Sequence, residues 1–150
     1  MSESGRALWD LRLGDATALV TGAGRGLGRA CARALADAGA HVIAVARTGS
    51  DLDSLREETA GQVETWTLDV TAPRFFERME SLDRLDVFVN NAGTNRPQPF
   101  TDVDPDSLAT VVDLNVTAMF RAAQTAARVM LAAGHGGSII NMSSQMGHVG

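Results

Sequence analysis

The chain has 150 residues, 45% of them hydrophobic, which suits one domain with a buried core and excludes wholesale disorder. A net charge of −5 argues against nucleic acid as a partner, and no apolar run reaches the ~18 residues that a membrane helix needs. The single cysteine, Cys31, excludes an internal disulfide and any multi-cysteine metal site. It fits a reducing, cytoplasmic compartment, as does a start (Met1 to Gly5) without the basic and apolar regions of a signal peptide.

Short β-like runs alternate with longer helical ones. Ala16 to Thr21 reads as a strand and is followed by a glycine cluster. A helix is expected from about Leu27 to Ala38, with Leu27, Ala30, Cys31, Ala34, Leu35 and Ala38 on its apolar face and Gly39 as its C-terminal stop. His41 to Ala46 is a second strand, and Asp51 to Thr59 looks helical. Val63 to Leu68 alternates more than the others and is placed nearer an edge. Ala72 to Leu82 is expected to be a helix opened by Pro73. Leu85 to Val89 is a fourth strand, followed by a polar loop from Thr94 to Asp104. Asp104 and Pro105 then supply an N-cap and a first-turn proline for a long helix to about Ala133. Its apolar face is read as Leu108, Val111, Val112, Val116, Met119, Phe120 and Ala123, with Asn115 in the middle. Ser138 to Met142 is a fifth strand. No internal repeat, low-complexity segment or linker to a second domain is visible, so residues 1–150 are expected to form a single domain.

Strands separated by helices imply an α/β fold: a parallel sheet with right-handed crossovers and helices on both faces. Ligands of such folds bind beyond the carboxyl ends of the strands. Five clusters stand there. The first is Thr21-Gly22-Ala23-Gly24-Arg25-Gly26-Leu27-Gly28, between a strand and a helix. Its glycines permit a tight turn and let backbone N–H groups approach a pyrophosphate. The spacing is neither the GxGxxG fingerprint nor a P-loop. Arg47 follows the second strand and, with Arg25, can face a ribose 2′-phosphate, or both can be solvated surface arginines. Asp51 and Asp53 come slightly late for an acid on the 2′-OH, although loop geometry can bring one back. Asp69 either accepts from an adenine amine or forms a turn. Asn90-Asn91-Ala92-Gly93 lets backbone lie close to a ligand or ties strand ends together. A buried Asn115 must be satisfied, by a neighbouring backbone or by a water or catalytic group. Ser143 and Ser144 can bond a substrate carbonyl or form a turn. His41, His135 and His148 are read as surface residues with no metal role, and Trp9 and Trp66 as packing.

Taken in this order, the glycine loop from Thr21 to Gly28, Asp69-Val70, Asn90-Asn91-Ala92-Gly93, the helical Asn115 and Ser143-Ser144 resemble the short-chain dehydrogenase/reductase family, from about Leu13 to Gly150. The resemblance implies a Rossmann-like doubly wound sheet in the strand order 3-2-1-4-5 and an oxidoreductase that reduces a ketone or oxidises a secondary alcohol. Thr21, Gly22, Gly24, Arg25, Gly26, Leu27 and Gly28 would border the cofactor phosphates, with Arg47 favouring NADP(H) over NAD(H), which stays possible. Asp69 and Val70 would meet the adenine, and Asn90, Ala92 and Gly93 the ribose side. Asn115 and Ser144 would be catalytic; the Gln145-Met146-Gly147 beyond them favours Ser144 over Ser143. Residues 46–55 and 95–100 look most like the family's sugar and polyol reductases, of the L-xylulose reductase or gluconate dehydrogenase types. The implied partners are a small carbonyl or alcohol substrate and further copies of the complete subunit, without nucleic acid or membrane.

One departure is serious. The family's general acid/base is a tyrosine beyond the serine, with a lysine one helical turn later. This sequence has no tyrosine, and every one of its 13 basic residues is arginine. It looks like the N-terminal three-fifths of such an enzyme and is expected to be inactive alone. The alternatives are a non-catalytic dinucleotide-binding or sensing module, and a structural subunit whose long helix docks a partner.

Overall fold

The computed structural model describes residues 13–144, so Trp9, His148 and the Gln145-Met146-Gly147 segment lie outside the described residues. Five parallel strands, β1 (Thr17–Thr21), β2 (His41–Ala46), β3 (Val63–Thr67), β4 (Val87–Asn90) and β5 (Ser138–Asn141), form one sheet in the order β3-β2-β1-β4-β5. The sheet therefore reverses direction of growth between β1 and β4, which opens a crevice at their carboxyl ends.

Alternation along each strand feeds two cores. Ala18, Val20, Val42, Ala44 and Val89 pack with Ala32 and Ala36 of α1 (Gly26–Asp37) and with Leu52 and Leu55 of α2 (Gly49–Glu58). Leu19, Ile43, Val45 and Phe88 pack on the opposite face with Phe75, Phe76 and Met79 of α3 (Pro73–Glu80) and with Ala122, Ala126, Val129 and Met130 of α5 (Met119–Ala132). β3 lies at the edge, as expected, but its burial does not strictly alternate: Val63 and Trp66 are buried, Glu64 and Thr67 exposed, and Trp66 is a packing residue of the core.

The local stop and start signals act as their chemistry requires. Gly39 takes φ +93°, and the bonds Ala40 N–H to Leu35 O (3.0 Å) and Gly39 N–H to Ala36 O (2.9 Å) close a Schellman turn after α1. Asp104 accepts from Ser107 N–H at 2.8 Å and caps α4 (Pro105–Val112), with Pro105 in its first turn.

Two helix faces differ from the sequence expectation. In α1 the buried positions are Gly28, Ala32 and Ala36, whereas Leu27, Ala30 and Ala34 are exposed. The smallest side chains let the helix backbone approach the sheet, and that close approach outranks the larger Leu27. The long helix runs from Pro105 to Ala132, close to the expected bounds, but not in one hydrogen-bond register. A π-helical turn, Asp113–Ala118, separates α4 from α5 and shifts the register of the faces. Ser107, Ala118, Ala122, Thr125 and Ala126 are buried, while Leu108, Val112, Val116 and Phe120 are exposed. Asn115 thus sits on the inner side, not in the middle of the apolar stripe.

The opposite end of the sheet is tied by Asp86. Its Oδ2 accepts from Thr17 N–H at 2.7 Å and from Arg84 Nε at 2.8 Å, and His135 Nδ1 lies 3.5 Å from Oδ1. Burial disfavours the carboxylate, but bonds from Arg84 and Thr17 and the charges of Arg84 and His135 outweigh it and hold Asp86 below the usual range. A carboxyl with a depressed folded pKa stabilises the fold above its unfolded pKa and loses that contribution as pH falls through the folded value. Asp86→Ala is expected to cost about 1 kcal/mol at neutral pH. In urea unfolding across a pH series, the gap to wild type should narrow below about pH 4, and a gap independent of pH would contradict this role.

Candidate functional site

A cavity of about 490 Å³ opens at the carboxyl ends of the strands, where the sheet order reverses. Gly22, Gly24 and Arg25 line it from the loop after β1, and Arg47 and Thr48 from the loop after β2. Asp69, Val70 and Thr71 contribute from beyond β3, and Asn91, Ala92 and Gly93 from beyond β4. Thr110, Asp113 and Leu114 close the far wall.

The loop after β1 is held by its neighbours. Ala23 N–H donates to Val45 O at 3.0 Å, and Gly22 and Gly26 take φ +66° and +57°, which glycine adopts without steric cost. Gly28 begins the close contact between α1 and the sheet: a Cβ there would stand 2.8 Å from the Gly22 carbonyl carbon. Arg25 is the N-cap of α1, and among the described residues no side chain caps it. Its first-turn N–H groups have no partner within the helix and carry the positive end of its dipole. Loop and helix end together fit an anionic group such as a pyrophosphate.

Thr21 is fully buried. Its Oγ1 accepts from Asn91 N–H (2.9 Å) and Ala92 N–H (3.0 Å), so it fastens the β4 loop to β1 and does not line the cavity. Asn91 Nδ2 donates to Thr21 O at 3.0 Å and reinforces the tie. Asn90 points elsewhere: its amide donates to Met119 O (2.9 Å) and Asn141 Oδ1 (3.0 Å), joining β4 to α5 and β5. Successive strand residues face opposite sides of a sheet, so only one of the two asparagines can serve the cavity.

Asp69 forms the turn that sequence allowed. Its Oδ1 accepts from Thr71 N–H (2.9 Å) and Thr71 Oγ1 (2.7 Å), while the residue also lines the cavity. Burial disfavours its charge, but the Thr71 bonds and the Arg47 charge prevail and lower its pKa. Asn115 is satisfied by backbone. Its Nδ2 donates to Thr94 O at 2.7 Å and its Oδ1 accepts from Thr94 N–H at 2.9 Å, which pins the loop after β4 to the π-helical turn.

The structure therefore gathers Gly22, Gly24, Arg25, Arg47, Asp69, Val70, Ala92 and Gly93 around one cavity. Leu27 is exposed, and Gly26, Gly28, Asn90 and Asn115 shape the surroundings without lining it. Ser143 and Ser144 are exposed just beyond β5, whose end is fixed by Met142 N–H to Asn90 O at 3.1 Å. Two further carboxylates line the cavity: Asp51, which the sequence left open, and Asp113, which it missed. Asp51 reaches the cavity because α2 begins at Gly49, and Asp113 because the π-helical turn starts there. Asp53 does not line it.

Residues 16–150 match the family model for short chain dehydrogenases. The L-xylulose reductase of Mesocricetus auratus is 44% identical over 137 residues, an alignment that takes in 91% of this chain and 56% of that protein. A short-chain dehydrogenase/reductase of Mycobacterium marinum superposes with a TM-score of 0.88 at 36% identity, over 95% of this chain and 62% of that one. A gluconate 5-dehydrogenase of Burkholderia cenocepacia, solved with NADP and tartrate, superposes with a TM-score of 0.81 at 32% identity, over 94% of this chain and 58% of that one. The chain thus spans a little over half the length of the curated relatives it matches.

Proposed function

The chain belongs to the short-chain dehydrogenase/reductase family, and on that premise we propose that residues 1–150 form the NADP(H)-binding domain of an oxidoreductase. Its substrate would be a small ketone or secondary alcohol of the sugar or polyol class. The observation that carries the cofactor reading is the meeting of Arg25 and Arg47 at one cavity beside the uncapped start of α1. Guanidinium groups bind phosphate oxygens in pairs of parallel bonds, which suits a 2′-phosphate. Asp51 on the same cavity supports NAD(H) as the second choice, since a carboxylate accepts from an unphosphorylated ribose.

The nicotinamide group supplies hydride when bound. The chain's own residues bind and orient. The glycine loop and the first turn of α1 hold the pyrophosphate. Asp69 and Val70 receive the adenine. Ala92 and Gly93 let the backbone lie along the ribose. Ser144 steadies the substrate oxygen, and Asn115 keeps the β4 loop in register and holds a water. Proton delivery in this family falls to a tyrosine assisted by a lysine, types that this sequence lacks, so the chain alone turns over no carbonyl substrate. We place the protein in the cytoplasm and expect the complete subunit to associate with copies of itself.

Calorimetric titration with NADPH and NADH tests the reading. NADPH is expected to bind, and Arg47→Ala should weaken it by about tenfold while changing NADH little. Failure of both nucleotides to bind would remove the cofactor assignment. Binding without carbonyl-dependent NADPH oxidation agrees with both the enzyme domain and the non-catalytic module; steady turnover by the purified chain would contradict its predicted inactivity.

A further inference from the structure

Arg29 stands on α1, one turn beyond the glycine loop, with its side chain only 19% exposed. Its guanidinium bonds to the loop after β1 and to α2, two segments that contribute to the cavity wall. Nη1 donates to Gly24 O at 3.1 Å, in the loop after β1, and to Asp51 O at 2.9 Å, in the first turn of α2. Nη2 donates to Ser54 Oγ at 2.8 Å and pairs with Glu58 Oε1 at 2.7 Å, while Nε donates to Glu58 Oε2 at 3.3 Å. Glu58 therefore meets the fork with both oxygens, an arrangement that fixes the plane of the guanidinium.

The two carbonyls matter because of their neighbours in the chain. Gly24 is bonded directly to Arg25, and Asp51 stands in the helix that continues from Arg47 and Thr48. Gly24 and Asp51 also stand close: a Cβ added at Gly24 would lie 3.0 Å from the Asp51 Cβ and 3.3 Å from its Oδ2. Beyond the Ala23–Val45 bond at the strand ends, this one side chain bridges the segments that bear the two cavity arginines and the cavity carboxylate. Recognition of a phosphate by two guanidinium groups depends on their spacing, whereas a pyrophosphate held by backbone N–H groups at the start of α1 does not involve that spacing.

We infer that Arg29 is a positioning residue for cofactor choice: by clamping the Gly24 and Asp51 carbonyls it holds Arg25 and Arg47 at the distance that a ribose 2′-phosphate requires. This inference rests on the cofactor reading above. It assigns Arg29 no contact with the nucleotide.

The test is the ratio of NADH to NADPH dissociation constants, measured by calorimetry on the wild-type chain, Arg29→Met, Arg29→Lys and Glu58→Gln. Arg29→Met is expected to weaken NADPH by about tenfold and NADH by less than about threefold, so the preference for NADPH falls. Arg29→Lys keeps the charge but cannot span both carbonyls and Ser54, and should recover only part of the ratio. Glu58→Gln retains the bonds to the carbonyls and should keep the preference. A merely structural brace would lower the melting temperature and weaken both nucleotides equally; an unchanged ratio in Arg29→Met overturns the inference and leaves the cofactor reading standing. If Arg29→Met does not fold, an unchanged ratio in Arg29→Lys overturns it in the same way. If the wild-type chain binds neither nucleotide, the cofactor reading fails and this inference with it.

Discussion

Gly28→Ala is expected to abolish measurable nucleotide binding and to lower stability by about 3 kcal/mol, the upper end for overpacking a tight contact. A Cβ at this position would collide with the Gly22 carbonyl oxygen and with Asn91 Nδ2, and would stand 2.8 Å from the Gly22 carbonyl carbon. None of these atoms is the free end of a flexible side chain. The Gly22 carbonyl belongs to the loop that lines the cavity, and Asn91 Nδ2 is itself fixed by the carbonyls of Thr21 (3.0 Å) and Gly22 (3.4 Å). The added carbon must lift α1 from the sheet or push the loop into the cavity, and either movement separates the first-turn N–H groups from the space they face. Gly14, whose Cβ would meet nothing within 4 Å, serves as the control: Gly14→Ala should change neither quantity. Calorimetric titration and thermal unfolding read both effects. Wild-type affinity for NADPH in Gly28→Ala would mean that the contact of α1 with the loop does not shape the cofactor site.

Much of this architecture is written locally in the sequence. Gly39 and the Asp104-Pro105 pair act through bonds between residues a few positions apart, so their composition alone announces the helix ends. The strand runs are readable because both faces of β1 and β2 are buried, which leaves nearly continuous apolar stretches. The helix faces are less legible. Periodicity locates an apolar stripe but not what the stripe meets, and Leu108, Val112, Val116 and Phe120 of that stripe are exposed. The π-helical turn is a shift in hydrogen-bond register and has no composition signal of its own, yet it decides that Asn115 reaches Thr94 and that Asp113 lines the cavity.

The site was legible in kind more than in detail. The glycine loop, the two arginines, Asp69 and the Ala92-Gly93 pair do converge, because each stands at a strand's carboxyl end. Which of Asn90 and Asn91 faces the cavity depends on strand parity at the last residue of β4, and a one-residue uncertainty in the strand end exchanges them. Arg29 joins residues five, 22, 25 and 29 positions away, and no local pattern encodes such a set.

The second large effect is expected at Thr21. Replacing it by valine keeps the volume and the branching at Cβ but removes the hydroxyl that accepts from Asn91 N–H at 2.9 Å and Ala92 N–H at 3.0 Å. Thr21 is fully enclosed, so the new methyl group meets two backbone donors with no room for replacement water. An unsatisfied buried donor costs about 1–3 kcal/mol, and two of them place Thr21→Val near a loss of about 3 kcal/mol, a large share of the ~5–15 kcal/mol that holds a domain together. For a chain of this size that corresponds to a fall of roughly 6–12 °C in melting temperature. Affinity for NADPH should fall as well, because the freed segment carries Asn91, Ala92 and Gly93 into the cavity wall. Thr21→Ser separates the hydroxyl from the methyl group. It keeps both acceptances, loses one buried carbon worth about 0.8 kcal/mol, and should bind NADPH nearly as wild type does. The order wild type, serine, valine in both melting temperature and affinity is the signature of a hydroxyl that fastens two strand ends. A valine variant as stable as wild type beside a weakened serine variant would show that packing, and not the two bonds to the β4 loop, holds the ends of β1 and β4 together.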